Sequence, residues 1–205
     1  LAMGLTSIVV AFMLGIPLEV LAQRMVAGIN SFPLLAIPFF ILAGEIMNTG
    51  GISQRLIKLS DSVVGRFRGG LGMVNVSSSM LFGGISGSAL ADASSSGSVM
   101  IPMMKKKGYD ADYSVAVTVT SSTQGIIIPP SHNMIIYALA AGGGISISSL
   151  FLAGIIPGIL LGVGLMVTAY LIAVKRNYPA EKPSSIKEIG HAIRLSLPGL
   201  MTGVI

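Results

Sequence analysis

Apolar residues fill this chain in long runs separated by short polar gaps, and the runs show almost no alternation of period two. That pattern predicts helices rather than the strands of a transmembrane barrel. Leu1 to Leu18 reads as the tail of a spanning helix ending at Pro17 and Glu19, with Glu19 and Arg24 balancing each other in an outer connection. Asn30 to Met47 carries Pro33 and Pro38, with Glu45 near its end. Internal prolines remove backbone donors, so a bent or broken helix is expected there. Ile52, Leu56, Leu59 and Val63 recur at spacings of four, three and four, with Arg55, Lys58 and Asp61 between them. This predicts an amphipathic helix, either at the cytoplasmic interface or packed on the protein as a connection.

The next apolar region holds an anomaly. Phe82 to Ser98 reads FGGISGSALADASSSGS, with six serines and a carboxylate at Asp92. Unsatisfied polar groups in hydrocarbon cost on the order of several kcal/mol each, so this stretch belongs inside protein. Arg66 and Arg68 precede it and Lys105 to Lys107 follow it, which puts both flanks on the cytoplasmic side. Its apolar arms, Gly70 to Gly84 and Ala93 to Met104, run about 15 and 12 residues, short of the ~20 needed to span. A re-entrant helical hairpin with its tip at Ser86 to Asp92 satisfies both constraints. Asp92 would cap the returning arm, bind a ligand, or do both.

Ala111 to Ala141 lacks Lys and Arg and contains TSSTQGIIIPPSHN from Thr120 to Asn133. Pro129 and Pro130 forbid a continuous helix, so a helix to about Thr123, an unwound stretch and a half-helix from about Ser131 are expected. Gly142 to Gly144 make an outer turn, Ser149 to Val174 span back to Lys175 and Arg176, and Pro179 to Ile189 form a polar linker before another segment from Ile193.

Composition agrees with this layout. Of 205 residues 52% are hydrophobic and 10% charged, with a mean hydropathy of +0.83, against the roughly 25% charge of soluble domains. The net charge of +5 does not imply nucleic acid, because 12 of the 13 Lys and Arg lie in four short gaps, as the positive-inside rule requires. With no cysteine, disulfides and thiolate metal sites are excluded. The apolar runs at Leu1 and at LPGLMTGVI suggest part of a larger polypeptide. The expected fold is therefore an all-α, multi-pass integral membrane protein with a re-entrant hairpin and a broken helix.

Such paired breaks at membrane depth can hold substrate and coupling ions. Unwound backbone offers carbonyls, hydroxyls add neutral oxygens, and half-helix N-termini favour anions. Ser86, Ser88 and Asp92 with Ser121, Thr123 and Gly125 form the candidate sodium set. Ser94, Ser95, Pro130, Ser131, His132 and Asn133 are the candidate substrate contacts, although serines of the hairpin arms also serve close helix packing. His132 could equally cap the second half-helix, and Glu45 could snorkel at the surface. No organic cofactor is expected.

GGISGSALADASSSGSVMIPMM followed by SSTQGIIIPPS resembles the large membrane subunit of tripartite ATP-independent periplasmic (TRAP) transporters, over nearly the whole chain. The resemblance implies a bacterial inner-membrane permease working with a small membrane subunit and a periplasmic substrate-binding protein. It implies sodium-driven uptake of an organic acid, such as a C4-dicarboxylate or a sialic or other sugar acid. It further implies one half of an inverted-repeat, elevator-type transporter, with a second hairpin and broken helix elsewhere. His132 and Asn133 stand where family members often carry Ile-Pro.

Two other classes meet the same residues. Gly84-Ile85-Ser86-Gly87 matches the GxSG of rhomboid-like intramembrane proteases, with His132 as a conceivable base. A channel with a re-entrant pore loop would also place polar residues at depth.

Overall fold

The computed structural model describes residues 1–29, 32–142, 144–180 and 184–201. Asn30, Gly143, residues 181–183 of the expected linker and the last four residues of the LPGLMTGVI run lie outside the described residues. Among those residues the chain is all helical, apart from an isolated bridge between Arg68 and Ala180. The helices are α1 (Ala2–Met13), α2 (Leu18–Ile29), α3 (Phe32–Thr49), α4 (Ile52–Val64), α5 (Gly70–Ser86), α6 (Ala89–Lys106), α7 (Ala111–Ser122), α8 (Gln124–Ile127), α9 (His132–Ala140), α10 (Ile147–Lys175) and α11 (Ile186–Met201).

The centre is the hairpin α5–α6. Its arms have 17 and 18 residues, about 26 Å each at 1.5 Å per residue. The turn is tighter than the Ser86–Asp92 tip read from sequence. Gly87, with φ of 60°, and Ser88 alone connect the arms, and Ala89 to Asp92 already form the first turn of α6. A left-handed residue ends α5 cheaply only because it is glycine.

Both feet of the hairpin return to the same end of the molecule. Gly69 N donates to the Pro179 carbonyl at 3.1 Å, and the Tyr109 hydroxyl donates to the same oxygen at 3.5 Å. Tyr109, Tyr113 and Tyr178 pack together there, with ring centroids 4.4 Å and 5.1 Å from Tyr178. Ile57, Leu71, Val74, Met100 and Met104 complete that apolar cluster.

The helix α10 closes one side. With 29 residues and a mean hydropathy of 2.5 over its most apolar window, it is, among the described residues, the helix long and apolar enough to cross a membrane. Its buried positions are small: Gly154, Gly158, Gly162, Ala169 and Ala173. A Cβ on Gly158 would meet Ile128 at 2.6 Å, and one on Gly154 would meet the Ile127 carbonyl. Small residues let helices approach where lipid gives no hydrophobic drive between them. Leu152, Ile156, Leu160 and Leu171, each more than 60% exposed, point outward.

Elsewhere the pattern was less faithful. The stretch read as an outer connection after Leu18 is the helix α2, and α1 and α2 pack chiefly on each other. Of the bent or broken helix expected there, the broken form is absent: α3 runs as one helix through Pro38, with Pro33 in its first turn where no backbone donor is needed. The helix α4 is amphipathic, but it packs along α5 by Ser53, Leu56, Ile57, Leu59 and Ser60, and leaves Val63 half exposed. Its charged face meets α11 instead: Arg55 donates to the Leu195 carbonyl, and the Ser196 hydroxyl donates to the Arg55 carbonyl.

Candidate functional site

The helix α7 continues through Thr123 into α8, so the true break is shorter than expected, Ile128 to Ser131. Ile128 is extended, as the residue before a proline is driven to be, and Ser131 is extended as the N-cap of α9. Two acceptors follow from the sequence. The i+4 donors to the Gly125 and Ile126 carbonyls would be Pro129 and Pro130, which have no N–H. Both carbonyls therefore lie free of helical bonds at the end of α8.

Hairpin tip and helix break meet backbone to backbone. A Cβ on Gly83 would stand 2.7 Å from Gly125 Cα and 2.9 Å from its nitrogen. On Gly87 it would stand 2.7 Å from the Pro130 carbonyl oxygen and 3.2 Å from His132 N. On Gly84 it would lie 3.3 Å from the Pro129 carbonyl. Gly44 of α3 approaches Ser86 from the other side. The N-termini of α6 and α9 consequently open onto one junction, each with its partial positive charge.

The candidate residues divide. Ser86 is buried at the end of α5, and its hydroxyl accepts from Ser88 N at 3.4 Å. Ser88, not Asp92, is the N-cap of α6, accepting from Ala91 N at 3.3 Å. Gly125, Pro130, Ser131 and His132 line the same junction, and Asn133 follows in the first turn of α9. The Ser131 hydroxyl and His132 Nδ1 are buried without partners. Asp92 and Ser121 lie deeper, between α5, α6 and α7. Asp92 is 0% exposed and accepts from Ser96 Oγ at 2.7 Å, while Ser121 Oγ shares a 3.2 Å hydrogen bond with Ser79 Oγ.

Besides Asp92 and Ser121, three residues are not brought to the junction. Thr123 is exposed, and its hydroxyl donates to the Thr120 carbonyl. Ser94 is exposed and donates to the Leu90 carbonyl. Ser95 is buried inside the hairpin arm with no partner for its hydroxyl. Glu45 points to the outside of α3. Because His132 Nδ1 has no hydrogen-bond partner, that nitrogen makes no Ser–His dyad with Ser86.

Sequence reasoning passed over the polar core beneath the junction. Asn75 Nδ2 donates to Thr118 Oγ1 at 2.6 Å, and Gln124 Nε2 donates to the Ser121 carbonyl at 3.0 Å, all at 0–1% exposure. The available signal was an amide in an otherwise apolar run. It also passed over the charged strap at the hairpin foot. Arg176 pairs with Asp110 at 2.8 Å and with Asp112 at 3.1 Å, and the Tyr178 hydroxyl donates to Asp110 at 2.6 Å. The Tyr178 hydroxyl and Arg176 hold the Asp110 carboxyl below the ordinary carboxylate range, and Arg176 does the same for Asp112.

Comparison with known proteins gives a consistent result. The family described as tripartite ATP-independent periplasmic transporter, DctM component, matches residues 1–205. The sialic acid TRAP transporter large permease protein SiaM of Vibrio cholerae is 42% identical over 90% of this chain and 43% of its own length. The 2,3-diketo-L-gulonate TRAP transporter large permease protein YiaN of Escherichia coli is 40% identical over 91% and 44%. The sialic acid TRAP transporter permease protein SiaT of Haemophilus influenzae is 42% identical over 89% and 29%. The chain thus spans less than half the length of these relatives.

Proposed function

The chain belongs to the DctM family of tripartite ATP-independent periplasmic transporters, and from that premise we propose that it forms half of a sodium-coupled permease for an organic acid. This is a family of transporters, not of enzymes, which removes the intramembrane protease.

The observation that carries the reading is the backbone junction of hairpin tip and helix break. Carbonyls of Gly125 and Ile126, freed by the two prolines, and the hydroxyls of Ser86 and Ser88 supply neutral oxygen donors suited to a hard monovalent cation. The N-termini of α6 and α9 at the same junction favour an anion. Ser131, His132 and Asn133 would contact the substrate. A cation and an anion binding side by side reinforce each other by charge, which is what symport requires.

Relatives named for sialic acid and for 2,3-diketo-L-gulonate support a carboxylate of a sugar acid as the substrate class, with a C4-dicarboxylate also compatible. In this reading the permease sits in the bacterial inner membrane, its hairpin re-enters from the cytoplasm, and a second such half completes the site. A small membrane subunit and a periplasmic binding protein work with it, and the hairpin and broken helix move together as an elevator. The test is uptake of labelled organic acids into proteoliposomes carrying the whole permease, with binding protein added outside. Uptake is expected only with an inward sodium gradient. Equal uptake with potassium in place of sodium would sink the coupling, and currents without substrate saturation would favour a channel.

A further inference from the structure

The helices α4 and α11 flank the hairpin and the broken helix in the chain, one leading into them and the other leaving them. They are fastened to each other at one end. Arg55 donates to the Leu195 carbonyl, the Ser196 hydroxyl donates to the Arg55 carbonyl, and a Cβ on Gly199 would meet Ile52. Followed the other way along both helices, the facing side chains line an open cavity of about 850 Å³, with Lys58, Asp61 and Ser62 on one wall and Lys187, Glu188 and His191 on the other. That volume lies within the range of small-molecule sites. The helix α4 spends its apolar residues Leu56, Ile57 and Leu59 on the protein interior, so only its polar face is left for the cavity.

The charges on the two walls do not cancel. Both carboxylates turn back to their own helices: Glu188 Oε2 accepts from Ser185 N at 2.7 Å, and Asp61 Oδ1 lies over Gly65. Among the described residues no ion pair reaches Lys58 or Lys187, and Arg55 makes one long bond of 3.5 Å to a carbonyl, which leaves most of its five donors unused. Cations gathered on one cavity repel one another until an anion joins them. A guanidinium, two ammoniums and the His191 imidazole suit the oxygens of a phosphate group. The surroundings suit a lipid's phosphate. Leu195 lines the same cavity, and Val63 and Ile186, next in sequence to the lining Ser62 and Lys187, are 50% and 88% exposed. Cationic side chains with apolar neighbours, beside the feet of apolar helices, are the setting in which an anionic headgroup is held.

We propose that the cleft between α4 and α11 binds the phosphate headgroup of an anionic phospholipid, with Arg55, Lys58, Lys187 and His191 on its oxygens and the acyl chains leaving past Val63 and Ile186. The headgroup then ties together the helices that precede and follow the hairpin unit. The inference goes beyond the transport reading and needs from it only that the protein lies in a membrane.

The experiment is thermal unfolding of the whole permease with its small subunit, delipidated in detergent and titrated with phosphatidylglycerol. Phosphatidylcholine and glycerol 1-phosphate serve as parallel arms. Phosphatidylglycerol is expected to raise the melting temperature, and the double variant Lys58→Gln with Lys187→Gln to move its midpoint about tenfold upward. Lys105→Gln with Lys106→Gln, the same charge change at the other hairpin foot, should leave the midpoint within about twofold. Lys187→Gln alone, at an exposed position, should shift it several-fold and keeps the test open if the double variant does not fold. Equal shifts in the two double variants would overturn the site in favour of a diffuse basic surface. Phosphatidylcholine acting as well as phosphatidylglycerol would overturn the recognition of charge, and glycerol 1-phosphate acting at equal concentration would overturn the lipid. Transport is not read, so a failure of sodium coupling would leave the cleft standing, and an empty cleft would leave the coupling untouched.

Discussion

The two ends of the hairpin are built on opposite terms. At the foot, side chains do the joining. Tyr109, Tyr113 and Tyr178 pack together, Arg176 bridges Asp110 and Asp112, and Pro179 accepts from both feet. At the tip, bare backbone meets bare backbone across Gly83, Gly87 and Gly125, and buried polar atoms of Ser131 and His132 lack partners. A foot so satisfied holds three chain segments as one body. A tip so unsatisfied is where a ligand can supply what is missing, because unpaired buried groups are the costly ones. On the proposed reading, stability and ligand binding occupy the two ends of one element, about 26 Å apart at 1.5 Å per residue.

That contrast can be broken most severely at the tip. Gly83→Val places carbon against Gly125 backbone that cannot yield, and is expected to cost ~2–3 kcal/mol and to abolish uptake; thermal unfolding together with proteoliposome uptake measures both. A variant that transports normally would mean that tip and break separate in the working protein.

The foot should respond to pH rather than to sodium. Asp110 and Asp112 have folded carboxyls below their ordinary range. Their stabilisation is therefore present above the usual carboxylate pKa and is lost as pH falls through the lowered values. Arg176→Ala should lower the melting temperature modestly at neutral pH and flatten the acid-side loss, with sodium dependence of uptake unchanged. A shift in sodium dependence would show the two ends to be coupled. The pair is exposed, so the effect is small.

The smallest effect belongs to Ser94→Ala. Its hydroxyl only returns to its own helix at Leu90, so melting temperature and uptake are expected to match wild type within error. A clear loss of uptake would restore Ser94 to the substrate contacts.

Much of this was legible in the residues. Basic clusters on both sides of a polar stretch too short to span twice implied a hairpin, and Pro129-Pro130 implied the break, because an absent N–H acts locally whatever surrounds it. The exact turn was not legible. Ser86, Ser88 and Asp92 all suit a helix start, and the choice of Ser88 as cap depended on where Gly87 turned left-handed. Thr123 and Ser94 share composition with the residues that face inward, and only helix rotation sends them outward. Arg176 and Asp110 are 66 residues apart, and nothing local in either predicts their meeting.

The sequence by itself determined the class: hydropathy sets the solvent, and glycine and proline set where helices stop, each through forces acting within a few residues. The tertiary structure alone decided that Gly83 would lie on Gly125, that Asp92 would be sealed among hydroxyls, and that one carbonyl at Pro179 would fasten both hairpin feet. Those contacts join segments distant in the chain, and their energies come from close approach and from burial, which exist only once the helices have packed.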